Sequence, residues 1–246
     1  MVDCNKANTP AEVGLRLEKE PEEEEVVDPT AYKRMVGSLR YLCNTRPDLS
    51  YSVEVISRYM ECPRVSHLNA VKRILRYLKG TYSYGILLRR GEAGEEVQIT
   101  SYSDADWCGD KTDKRSTAGY IFFMGGSPIS WCSRKEPVVA LSSCEAEYIA
   151  ACEATCQATW LGFLLEGMKV KMSERMRLLV DNKSAIDLTK HPTSHGRSKH
   201  IETRFHYIRE QVSNGSLKVV HCRSEDQLAD ILTKALKGER FLTLRK

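Results

Sequence analysis

Near residue 95 the spacing of apolar residues changes from the helical period of about 3.6 to a period of two. No other feature limits the fold as much. Upstream, SHLNAVKRILRYLKG reads as helix; downstream, EVQITSYSD alternates, and YIFFMG and ISWCSRK follow as two further strands. The connectors GDKTDKRSTAG and GGSP are turn-rich, which predicts an antiparallel meander of three strands. Ser142 and Glu145 then form an S-x-x-E capping box opening a helix in SSCEAEYIAACEATCQATWLGFLLEGM. RMRLLVD is a fourth strand, NKSAIDLTK a helix, SKHIETRFHYIREQVSNG a longer helix stopped by Gly215, and SLKVVHCR a fifth strand. Ser224 and Gln227 make a second capping box, predicting a final helix through LADILTKAL. The order β-β-β-α-β-α-α-β-α predicts an α/β fold. Its mixed five-stranded sheet has three antiparallel strands, then parallel additions, with helices on its faces.

The 246 residues divide into three stretches of different charge. Residues 1–30 carry a net −6, and EKEPEEEEVVDP within them predicts an extended acidic flexible linker. Residues 31–90 carry +9 and read as a basic helical segment. In its clearest helix Leu68, Val71, Leu75 and Leu78 form an apolar stripe, Lys72, Arg73, Arg76 and Lys79 a basic face, and Gly80 the stop. Residues 91–246 are nearly balanced at +1, and the sheet-forming domain is expected over 95–240. A block of +9 suggests a polyanionic partner, nucleic acid ahead of acidic lipid.

Composition narrows the class further. With 41% hydrophobic and 28% charged residues the chain is neither collagen-like nor mucin-like nor fully disordered. No apolar run approaches the ~18 residues of a membrane span, and the N-terminus lacks the apolar stretch of a secretory signal. Nine cysteines, without CxxC pairs, read as free thiols. The expected location is therefore intracellular, cytoplasmic or nuclear, and not secreted. Cys152 and Cys156 lie four apart on a predicted helix, which reads as packing rather than half a metal site.

Four carboxylates occupy informative places: Asp104 ending the first strand, Glu147 just under two turns into the capped helix, Asp181 closing the fourth strand, and Asp230 in the second turn of the last helix. They are 43, 34 and 49 residues apart, so only a fold can join them. If the first and fourth strands are neighbours, Asp104 and Asp181 end side by side. Clustered carboxylates repel and call for a cation, and a hard divalent ion such as Mg²⁺ or Mn²⁺ suits oxygen ligands. Asp106 is expected past the strand end, in the loop. The spacings His191/His195, interrupted by Pro192, and His200/His206 do not suit a zinc site on one helical face.

The motifs YSDADWCGD, KRSTAGYIFF, PISWCSRKEP, ALSSCEAEYIA, LLVDNKSAI, SKHIETRFHYIRE and EDQLADILTKAL, in this order, resemble the ribonuclease H domain of copia-type LTR retrotransposon polyproteins. YKRMVGSLRYLCNTRPDLSYSV and AVKRILRYLKGTYSYGI resemble the segment after the reverse-transcriptase palm in the same polyproteins. The resemblance covers roughly residues 30–240 and implies a ribonuclease H-like fold that cuts the RNA strand of RNA–DNA hybrids. It maps Asp104, Glu147, Asp181 and Asp230 onto the family's metal-binding acids, with Asp230 the more peripheral. It further implies two Mg²⁺ ions, with Mn²⁺ as a substitute and no small-molecule cofactor. By the family's pattern Asp104 bridges both ions, Glu147 and Asp181 hold the one near the leaving 3′-oxygen, and Asp230 the one that activates water.

The resemblance has departures. The polymerase's paired-aspartate motif and most of its palm are absent from this stretch, so DNA synthesis by it is not expected. RSEDQ holds no histidine where cellular ribonucleases H carry one, and His221 reads as a strand residue. Hybrid selectivity needs contacts to 2′-hydroxyls, for which Ser116, Thr117 and Asn182 are the candidates. Lys72, Arg73, Arg76 and Lys79 are the candidates for phosphate contacts. The partners expected are a hybrid and a reverse-transcriptase palm, with no membrane. Two alternatives are a binding remnant without turnover and a remnant that folds poorly because no palm covers residues 31–90.

Overall fold

The computed structural model describes residues 4–15, 17–19, 24–90, 96–190 and 202–245, with backbone alone at 202–205. Helices come first: α1 (Pro29–Leu42), a 3₁₀ turn (Pro47–Leu49), α2 (Ser50–Ser57) and α3 (Val65–Gly80). Then follow β1 (Ile99–Asp106), β2 (Thr117–Met124), β3 (Ser127–Lys135), α4 (Ser143–Gly167), β4 (Met176–Val180), α5 (Lys183–Lys190), α6 (Glu202–Ser213) and β5 (Leu217–His221). A 3₁₀ turn (Ser224–Asp226), α7 (Asp230–Thr233) and α8 (Gly238–Leu244) complete the order.

The strands form one sheet in the order β3-β2-β1-β4-β5. β1 pairs antiparallel with β2, and β2 with β3, while β4 pairs parallel with β1, and β5 with β4. This is the predicted mixed sheet. The parallel pairs require crossover connections, which α4 and the α5–α6 pair supply. One cluster, with Ile99, Phe122, Tyr148, Leu161, Leu178 and Ile208, joins the sheet to α4–α6. A second, with Tyr32, Leu49, Val71, Ile121, Leu232 and Phe241, joins it to α1–α3, α7 and α8.

That second cluster answers one expectation directly. The helices of residues 31–90 have a packing partner within the chain, because their apolar side chains meet Ile121 of β2 and Ile231 and Leu232 of α7. Trp131 of β3 donates from Nε1 to the Cys43 carbonyl at 2.8 Å, tying the sheet to the end of α1. Within the helices, Arg46 holds both oxygens of Asp48, at 2.8 and 2.7 Å. Tyr77 adds a hydroxyl to Asp48 at 2.6 Å. The pair is nearly enclosed, and these extra bonds satisfy charges whose desolvation would otherwise be costly.

Four local expectations need correction. The buried stripe of α3 is His67, Val71, Ile74 and Tyr77, whereas Leu68, Leu75 and Leu78 are only partly covered. Counting aliphatic residues missed the two rings, whose polar atoms are satisfied. His67 stacks on Tyr59 at 3.9 Å and accepts at Nδ1 from the Arg64 amide. Next, the described part of the expected linker is not a free tether. Arg76 donates to the Asn5 carbonyl at 2.7 Å, Lys79 to that of Cys4 at 2.9 Å, and Arg73 to Thr9 Oγ1 at 3.0 Å. Glu24 accepts from the Ser66 amide at 2.9 Å and so caps the start of α3. The irregular backbone at residues 4 and 5 leaves its carbonyls open, and the basic helix face supplies their donors.

The predicted last helix is shorter than expected, because the chain turns at 224–226 and α7 has only one turn. Gln227 does not close a capping box there. Its buried side chain donates to the Ser103 carbonyl at 2.9 Å and accepts from the Ala229 amide at 3.2 Å. Finally, Asp106 is the last residue of β1, paired with Thr117, and not part of the loop.

The start of α4 is as the sequence predicts. Ser142 Oγ accepts from the Glu145 amide at 3.2 Å, and Glu145 Oε2 accepts from the Leu141 amide at 2.7 Å. Ser142→Ala is expected to cost about 1 kcal/mol of stability, read from the midpoint of urea unfolding. An unchanged midpoint would show that the Glu145 bond alone holds this end.

Candidate active site

Asp104 lies on β1 opposite Gly119 of β2. Along the parallel pair, Tyr102 of β1 is level with Leu179 of β4. Two residues further on each chain, Asp104 and Asp181 therefore come level, Asp104 still within β1 rather than at its end as the sequence suggested, and Asp181 just past the end of β4. Glu147 reaches them from the second turn of α4, whose start Ser142 fixes and whose flank packs on β1. One oxygen from each of Asp104, Glu147 and Asp181 fits within 4.8 Å of the others. It is the one such group of metal-ligating side chains among the described residues.

Burial sets the electrostatics of this trio. Asp104 is 1% exposed and Glu147 7%, whereas Asp181 is half-buried. Burial pushes the Glu147 carboxyl up to about 10, with the charges of Asp104 and Asp181 adding to the push. Burial also raises Asp104, which Lys234 pulls back and Asp230 pushes further. Glu147 Oε2 is buried and has no hydrogen-bond partner. A buried, unpartnered oxygen on a carboxylate grouped with two others fits a cation with oxygen ligands, and an all-oxygen donor set fits a hard divalent ion.

Asp230 comes to the same end of the sheet but stands outside this trio. It opens α7, and its oxygens meet Lys234 Nζ at 2.9 Å and Arg240 at 3.1 Å. Lys234 also reaches Asp104 Oδ2 at 3.2 Å, and Thr233 donates its hydroxyl to that same oxygen. Burial alone would lower the Lys234 ammonium, but Asp104 and Asp230 outweigh it and hold it above its ordinary value. Asp106, expected in a loop, sits on the same face of β1 as Asp104. Burial raises its carboxyl, offset in part by Lys234.

The other candidates fall elsewhere. Ser116 and Thr117 are buried and offer no surface to a hybrid, and Thr117 Oγ1 accepts from Arg58 at 3.1 Å. Asn182 Oδ1 caps α5 through the Ala185 amide at 3.1 Å. Of the basic face, Lys72 is exposed, while Arg73, Arg76 and Lys79 are engaged by residues 4–12. His221 ends β5 and is exposed. His191, His195 and His200 lie outside the described residues, and His206 is exposed on α6. No described helix is long and apolar enough to cross a membrane.

The sequence reading missed Gly119, Thr233 and Lys234. A Cβ on Gly119 would lie 2.8 Å from Leu232 Cβ and 2.9 Å from Thr233 Cγ2. Glycine at this point lets α7 press on β2 and bring Thr233 and Lys234 to Asp104. The signal was there in STAGYIFF, since a glycine inside a strand pattern often marks close backbone approach.

Several proteins resemble the chain. It is 45% identical over 216 residues to the retrovirus-related Pol polyprotein from transposon RE1 of Arabidopsis thaliana, covering 88% of this chain and 14% of that one. The chain thus spans about a seventh of the length of that relative. Among solved structures, foamy viral protease-reverse transcriptase dRH in complex with double-stranded DNA aligns with a TM-score of 0.52 and 11% identity. That match covers 83% of this chain and 33% of the other. LC11-RNase H1 in complex with an RNA/DNA hybrid aligns with a TM-score of 0.42 and 16% identity, covering 55% and 94%. No family model matches the sequence. The mixed five-stranded sheet with its flanking helices is of the ribonuclease H-like kind.

Two predictions follow from this geometry. Gly119→Ala forces α7 off the sheet or distorts β2, and is expected to cost about 1–3 kcal/mol, read by urea unfolding. Stability equal to that of the native chain would show that α7 yields freely. The second concerns pH. Because the Glu147 carboxyl is raised from 4.5 to about 10, the folded state keeps a proton that the unfolded chain gives up across that window. Metal-free stability must therefore fall as pH rises through it. Glu147→Gln is expected to flatten the fall, exceeding wild type at about pH 8 in EDTA and matching it near pH 4.5. Parallel pH profiles for the two proteins would contradict the assignment.

Proposed function

We propose, for a chain that belongs to the retrovirus-related Pol polyprotein family of plant transposons, that its sheet domain is a metal-dependent ribonuclease H cutting the RNA strand of RNA–DNA hybrids. The observation that carries this reading is the convergence of Asp104, Glu147 and Asp181 with an unpartnered buried oxygen on Glu147. These three side chains would hold Mg²⁺, or Mn²⁺ in its place. When bound, such an ion polarises the phosphodiester and activates water for attack at phosphorus.

The protein's own groups divide the remaining work. Asp104 and Glu147 are fixed by burial in strand and helix, so their oxygens are set before any ligand arrives. Asp181 is the least buried of the three, so it is the one most accessible to an approaching phosphate. Thr233 fixes one oxygen of Asp104, leaving the rest of that carboxylate to face the centre of the trio. Hydrolysis there leaves a 3′-hydroxyl and a 5′-phosphate. A cavity of about 880 Å³ beside Asp106 and Lys234 is bordered by Lys111 as well as by Arg58 and Arg73, whose charges are met there by Asp110 and Glu12. A cytoplasmic retroelement particle or the nucleus is the proposed place of action.

The decisive experiment incubates a labelled RNA–DNA hybrid with the protein in Mg²⁺ and in EDTA. Cleavage of the RNA strand in Mg²⁺ alone is expected, and Asp104→Asn or Asp181→Asn should bring it down to the EDTA background while the fold survives. An amide is a poor ligand for Mg²⁺ and brings no charge. Hybrid binding without cleavage would instead identify a binding remnant. Wild-type rates from Asp104→Asn protein would overturn the site.

A further inference from the structure

We propose that Lys234 is the built-in counter-cation of the Asp104–Asp230 pair, so that this half of the site takes a divalent ion only when the Lys234 ammonium is displaced. The proposal rests on the metal reading above and concerns how many ions the site accepts.

The two halves of the site differ in what their oxygens already touch. On the Glu147 side a buried oxygen has no partner. On the Asp230 side each oxygen has a cation: Oδ1 meets Lys234 at 2.9 Å and Oδ2 meets Arg240 at 3.1 Å. The Asp104 oxygen facing this half is shared by Lys234 at 3.2 Å and the Thr233 hydroxyl. A single ammonium thus lies between two carboxylates, the position that a bridging divalent ion would require. Both cannot occupy it, because like charges a few ångströms apart repel strongly in a partly buried site.

Lys234 is also placed to leave. It is the residue at which α7 ends, in extended conformation, and its side chain is 35% exposed, against 2% for Asp104. It borders the 880 Å³ cavity, whose wall also carries Asp106, a second carboxylate for a displaced ammonium. Arg240 has a different task. It donates to the Ser224 carbonyl at 2.6 Å as well as to Asp230, so it fixes the start of α7 whether or not Lys234 moves.

The test titrates Mn²⁺ calorimetrically into the full chain, wild type, Lys234→Gln, Lys234→Arg and Asp181→Asn. Wild type should show a tighter first step and a weaker second. Lys234→Gln should tighten the second step at least about tenfold, since a full positive charge is removed from beside it. Lys234→Arg, which keeps the charge, should leave that step as in wild type. Asp181→Asn should lose the first step whichever way Lys234 behaves. A second readout needs no variant. Reductive methylation of wild-type Lys234, followed by mass spectrometry, should be slow in EDTA and rise at the Mn²⁺ concentrations that fill the second step. An unchanged second step in Lys234→Gln, or methylation of Lys234 indifferent to Mn²⁺, overturns the proposal while the first step stands. Absence of any Mn²⁺ binding by wild type overturns the metal reading and this inference with it.

Discussion

Negative charge gathered at one end of β1 is the constraint around which the rest of this chain is arranged. Asp104 is almost wholly enclosed, Glu147 nearly so, and Asp181 and Asp230 stand close by. Uncompensated, such a group would be expelled from a protein interior or kept neutral by protons. Here protonation and counter-charges share the task. Burial and mutual repulsion hold Glu147 in its protonated form well above the ordinary range, and Lys234 and Arg240 offset the charge of Asp230. The site stores a cost that a divalent ion would relieve, and that links its stability to its chemistry.

Holding the carboxylates together takes elements far apart in the chain. The parallel register of β1 and β4 levels Asp104 with Asp181, and the capped start of α4 sets the height of Glu147. The last part depends on the segment after β5. Gln227 fastens it to the Ser103 carbonyl, and Gly119 lets α7 come close enough for Thr233 and Lys234 to reach Asp104. None of these holding residues carries charge chemistry of its own except Lys234. Their contribution is geometric, and their loss would be felt at Asp104.

The helical part is joined to the sheet by more than chain connectivity. Tyr32, Leu49, Val71 and Tyr77 share a hydrophobic cluster with Ile121 and Leu232, so α1–α3 press on the sheet face that also seats α7. Arg58 extends this link in ionic form, meeting Glu54, Asp110 at 3.0 Å and Thr117 at 3.1 Å. Residues 4–12 and 24–26 then lie along α3, engaging most of its basic face. The charge asymmetry between residues 1–30 and 31–90 is thus met partly inside the chain, and a polyanion would compete with that contact for Arg73, Arg76 and Lys79.

How much of this was legible in the sequence differs from residue to residue. Local signals were enough where a local cause dominates. Alternation placed β1–β5, and the Ser142 box placed the start of α4 because a side chain capping its own helix needs no distant partner. Recognition of the motif order singled out Asp104, Glu147, Asp181 and Asp230, of which the structure groups the first three. The α3 stripe was misplaced because His67 and Tyr77 are buried by virtue of bonds to residues far along the chain, which periodicity does not register. Ser116 and Thr117 read as turn residues open to ligand, but β3 and Arg58 enclose them. The sequence by itself determined the strand and helix order through short-range periodicity, and its resemblance to a known family marked the four acids, while their convergence was left to the fold. Tertiary structure alone decided that Asp230 faces Lys234 and Arg240 rather than the trio. That choice depends on the close packing of α7 over Gly119, a contact between residues more than a hundred positions apart.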